Sequence, residues 1–85
     1  MPIQREEITE AEKIQRQISA MGDSVDLINR LISEGEHSER VHDMIDRNFR
    51  HLEIMLAKPH IQTSGQNLTV FTDAITAGKA FVAQS

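Results

Sequence analysis

Cysteine is absent from this 85-residue sequence, and so are tryptophan and tyrosine. The first absence excludes disulfides, thiolate metal sites and cysteine nucleophiles. The second leaves three phenylalanines as the only aromatics, which removes most stacking platforms for single-stranded nucleic acid. Long apolar runs are missing too. None approaches the roughly 18 residues of a membrane span, and the opening MPIQREEITE has no apolar h-region of a signal peptide. We therefore expect no membrane association. The expected setting is the cytoplasm or an intracellularly assembled particle. Asn67, Leu68 and Thr69 fit the glycosylation sequon, which we read as coincidence without a secretion signal.

Charge is unevenly placed. Residues 1–36 hold Arg5, Lys13, Arg16 and Arg30 against eight acids, and carry the whole net charge of −4. Residues 37–60 balance four bases with four acids and contain all four histidines. Beyond them, Lys79 and Asp73 are the only charged side chains. The acidic balance argues against nucleic acid as a partner, because backbone binding needs a concentrated basic face.

What is present is helical periodicity. Ala11, Ile14, Ile18, Met21, Val25, Ile28 and Ile32 are spaced 3, 4, 3, 4, 3, 4, the heptad signature of a helix packing lengthwise on another. The spacing predicts a first helix over about 9–33, capped near Thr9, with Leu27 and Leu31 widening its stripe. Gly35 and Ser38 suit a C′ residue and the next N-cap. A second helix follows over about 38–57, with a stripe of Val41, Ile45, Asn48, Leu52 and Met55, and Met44, Phe49 and Leu56 beside it. Pro59 stops it. Residues 59–67 read as a linker. Leu68, Phe71, Ile75, Gly78 and Val82 then repeat the 3, 4 spacing and predict a shorter third helix over about 68–83, with Asn67 or Thr69 as its cap. A strand over LTVFT is the rival, but the chain offers it no partner. The small residues of DAITAGKAFVA suit close approach of another helix.

The stretch MGDS, residues 21–24, tests the first helix. Gly22 costs about 1 kcal/mol inside a helix relative to alanine, and Asp23 with Asp26 resembles a capping box. Local chemistry favours a break there. The apolar phase, however, passes through without a slip, as a linker would have no reason to arrange. We expect a continuous helix, with Gly22 a point of closest backbone approach or a mild bend.

Few constellations carry chemistry. Ser38, His42 and Asp46 share one helix face, but side chains stacked along an exposed face form no pocket with oxyanion donors. An N-cap plus a solvated His–Asp pair is the expectation. His37, His42, His51 and His60 are never spaced i,i+4, and no HExxH occurs. They are expected on the surface. Asn48 either fixes register in the seam or sits at its edge and leaves Phe49 to fill the core; both stay open. Acid–base pairs at i,i+4 (Glu12–Arg16, Asp26–Arg30, Asp43–Arg47, Asp46–Arg50) are expected to decorate solvated faces.

Together these features predict an all-α chain with one domain over 1–85: an antiparallel hairpin of two long helices plus a shorter C-terminal helix. A lone chain of this size is marginal, and the third helix looks too short to cover what the hairpin exposes. We therefore expect assembly into an oligomeric bundle, dimer favoured. The expected interface is Ile14, Ile18, Met21, Val25, Ile28, Ile32, Val41, Ile45, Asn48, Leu52, Met55, Phe71, Ile75 and Val82. The function expected is non-enzymatic and cofactor-free: a structural or adaptor protein docking on a larger protein assembly, a phage accessory or virion component being one form. The alternative is a small dimeric regulator that binds nucleic acid or another protein through the Arg40–Arg50 face.

Overall fold

A computed structural model describes residues 9–84; the expected domain span also includes residues 1–8 and 85, which lie outside the described ones. Four helices pack together: α1 Glu10–Glu34, α2 Glu39–Leu56, α3 Pro59–Gln62 and α4 Thr69–Ala83. No strand occurs among the described residues, so LTVFT opens a helix. None of the helices is long and apolar enough to cross a membrane.

The helix ends follow from local chemistry. Thr9 Oγ1 accepts from the Glu12 N–H at 3.2 Å, and Ser38 Oγ accepts from the Val41 N–H at 3.2 Å. Each satisfies a backbone donor that has no partner inside its helix. Gly35 ends α1 in the left-handed region at φ 73°, where only glycine avoids a Cβ penalty. Its N–H donates to the carbonyls of Leu31 and Ile32. At α4 the cap comes from one residue before the N-cap position: Asn67 Oδ1 accepts from the Thr69 N–H at 3.0 Å.

Helix α1 is continuous through Gly22, as the phase required. Gly22 is not a point of close approach, however, because a Cβ there would meet nothing within 4 Å. That role belongs to Gly78. A Cβ on Gly78 would lie 3.1 Å from Ile45 Cγ2, 3.2 Å from Phe49 Cδ2 and 3.6 Å from Ile28 Cγ2. The missing side chain lets α4 settle onto α1 and α2 together. The expected linker over 59–67 also needs correction. Pro59 begins a helical turn at a position where its absent N–H costs nothing. That turn carries Ile61, which is fully buried.

One core results. Met21, Val25, Ile28 and Leu31 from α1 join Val41, Ile45, Phe49, Leu52 and Met55 from α2, Ile61 from α3, and Phe71, Ala74 and Phe81 from α4. Full burial of such side chains is worth about 1.5–3 kcal/mol each. Among the described residues, every buried side-chain polar atom has a partner.

Candidate functional site

The residues expected at an interface divide by burial. Met21, Val25, Ile28, Val41, Ile45, Leu52, Met55 and Phe71 are buried within the chain's own core. A second chain is therefore not needed to cover them. Ile14, Ile18, Ile32, Ile75 and Val82 are half-buried and pack at the core's margin. Asn48 is half-buried as well, and its amide donates to the Met44 carbonyl of its own helix at 2.7 Å. Phe49 fills the core beside it, so the seam-edge reading of Asn48 is the one the structure favours.

The depth of α4 along α1 decides which margin stays open. Phe81 stacks on His37, in the connection after α1, with ring centroids 4.0 Å apart. Gly78 lies against Ile28. At about 1.5 Å rise per residue, the start of α4 at Thr69 falls roughly level with Ser19. The first turns of α1 thus project past α4, carrying Ile14. What meets them is α3, where the His60 Nε2–H donates to Gln17 Oε1 at 2.7 Å. Elsewhere, two large apolar side chains face outward, Ile54 at 62% exposure and Val70 at 53%.

The catalytic constellation dissolves, since each of its members is engaged elsewhere. Ser38 Oγ–H donates to Glu36 Oε2 at 2.8 Å, and His42 Nε2 faces His37 Nδ1 at 2.9 Å. Asp46 pairs with Arg50 at 2.7 Å. A shallow open depression of about 370 Å³, lined by Glu12, Gln15, Arg16 and Ser19, lies elsewhere, on exposed α1 surface. On the Arg40–Arg50 face the Asp46 carboxylate neutralises one of three arginines. Besides Asp46–Arg50, one other ion pair forms among the described residues, Lys79–Glu53 at 2.8 Å, tying α4 to α2. The other expected i,i+4 pairs are not made. Three of the four are exposed at both ends, where solvation competes with pairing.

The histidines are more engaged than a surface reading implies. His51 Nδ1 meets the buried Ser24 Oγ at 3.3 Å, linking α2 to α1. His60 links α3 to α1, and His37 with His42 brackets Phe81 at the end of α4. Spacing along the chain gave no sign of this, because each contact joins different elements or a helix and a connection.

Compared with models of known protein families, with curated proteins and with solved structures, the chain matches none.

Proposed function

We propose that the chain is a non-enzymatic structural or adaptor protein that acts through protein–protein contact, both with a second copy and with a larger assembly. The observation that carries this reading is the projecting end of α1. There Ile14 and Ile18 continue the stripe of the core, yet both remain half-buried. An apolar stripe running beyond its own bundle suits another helix laid alongside it. Ile54 and Val70 offer further apolar surface.

The contacts Ser24–His51 and Gln17–His60 support an antiparallel hairpin for α1 and the segment after the connection. A pair of such hairpins, meeting through the projecting stripe, is the favoured dimer. Its setting is the cytoplasm or an intracellularly assembled particle such as a virion.

Sedimentation velocity on the wild type and on Ile14→Glu tests this. The wild type should associate at micromolar concentration, and the variant should be monomeric with its helical content intact. A wild-type chain that stays monomeric across that range removes the self-association reading. Captured partners that bind Ile14→Glu and Ile54→Glu as tightly as the wild type would remove the docking reading.

A further inference from the structure

We infer that His37 and His42 form a two-nitrogen chelating site for a borderline divalent cation that accepts cis coordination, Ni²⁺ or Cu²⁺. This is independent of the function proposed above and rests on different residues. Nδ1 of His37 and Nε2 of His42 face each other at 2.9 Å. One imidazole N–H donates to the other's bare nitrogen, so at least one lone pair already points into the gap. Two nitrogens each about 2.0–2.1 Å from a metal, at about 90° to one another, are themselves about 2.9 Å apart. Square-planar or tetragonal nitrogen coordination is the preference of Cu²⁺ and Ni²⁺.

Phe81 gathers the two rings. Its ring is buried and stacks on His37 at an interplanar angle of 14°. His42 meets the same ring edge-on at 5.7 Å. The two imidazoles are thus held near each other by a core side chain from a third element, although they stand five positions apart in sequence. Metal entry needs each ring to turn, so that both lone pairs converge beside the nitrogen–nitrogen line. It also needs the donor ring to move its proton to its other nitrogen. Nothing is oxidised or reduced. His37 is exposed, so rotation about its Cβ–Cγ bond meets solvent and gives up part of its stack on Phe81. Among the described residues no third histidine, aspartate or glutamate completes a cluster. Water or a group from another molecule therefore takes the remaining positions.

The experiment is calorimetric titration of the untagged full-length chain with Ni²⁺, repeated on His37→Ala, His42→Ala, His51→Ala and His60→Ala. Losing an outer-shell partner of a metal-bound histidine costs about 10–100-fold in affinity, so losing a ligand costs at least about tenfold. One Ni²⁺ per chain is expected, weakened by that factor in the first two variants and unchanged in the last two. Equal binding by His37→Ala and the wild type, or no saturable binding by the wild type, overturns the inference. Because His42→Ala could disturb packing, the wild type is also mapped by Cu²⁺ broadening of amide resonances. Broadening centred on residues 36–42 and the end of α4 supports the site. Broadening centred on His51, His60 or the N-terminal amine overturns it.

Discussion

Two glycines, one in α1 and one in α4, separate backbone propensity from packing. Both lie inside helices, and neither has the positive φ that Gly35 and Gly65 adopt. Alanine at either position should gain the same helix-propensity term, about 0.8–1.0 kcal/mol. At Gly22 nothing opposes it, since the added Cβ meets open space. Gly22→Ala should therefore stabilise by nearly that full amount. In a domain of this size, 1 kcal/mol shifts Tm by about 4–8 °C. At Gly78 the methyl group arrives 3.1 Å from Ile45 and 3.2 Å from Phe49, both buried on α2. Those neighbours must yield by a few tenths of an ångström, or α4 must lift away. Overpacking of this kind costs about 1–3 kcal/mol, which offsets or exceeds the propensity gain.

The comparison between the two variants is sharper than either alone. Propensity cancels in the difference, leaving the packing cost of about 1–3 kcal/mol. Urea unfolding followed by far-UV circular dichroism measures both. A Gly22→Ala protein less stable than wild type would mean that α1 turns or bends at Gly22. A Gly78→Ala protein as stable as Gly22→Ala would mean that α4 is not seated against Ile45 and Phe49, and the three-helix packing would be refuted with it.

Three further outcomes are expected. Ile61→Ala should cost about 2–5 kcal/mol, as for a core residue on a long helix; a loss near zero by urea unfolding would show that α3 is not docked. Gly35→Ala forces a Cβ into the left-handed region and should cost about 1–2 kcal/mol, read as a lower Tm with unchanged sedimentation. Asn48→Ala trades one hydrogen bond within its helix for better propensity and should stay within about 0.5 kcal/mol. Its sedimentation should not change, whereas a residue that sets register between chains would alter it.

The long-range phase of α1 was legible because a heptad spacing constrains a whole helix at once, and one glycine of about 1 kcal/mol cannot outweigh it. The detail that escaped is the width of the buried arc. A heptad seam has one partner, but α1 has α2 on one side and α4 on the other. At about 100° per residue, Ser24 and Leu31 lie roughly 60–80° round from Met21. Both are buried, while Ile32 of the heptad series is only half-buried. Phe49 is displaced in the same way from Val41, toward Gly78. Asn48 sat on the predicted seam because the seam was drawn for one partner helix. The turn at Pro59 escaped for another reason: four residues are too few to show a period, and proline reads as a stop when it also starts helices well. The His37–His42 pair depends on where α4 places Phe81, which no local pattern encodes.

The expectation of an oligomeric bundle rested on the small size of the chain and on a third helix too short to cover what the hairpin exposes. Two short elements provide that cover within one chain. Toward the α1–α2 connection, α4 brings Gly78 and Phe81 onto the core; toward the opposite end, α3 brings Ile61. The thirteen apolar side chains buried among the described residues are thus covered without a second copy. The self-association proposed above would then join chains that are already folded, and this separates two observables that an obligate dimer ties together. When folding and assembly are one step, Tm rises with protein concentration. Here, raising the concentration from low to high micromolar should increase the sedimentation coefficient while Tm changes little. A Tm that climbs steeply with concentration would mean that α3 and α4 do not complete the core, and that a second chain supplies what they lack.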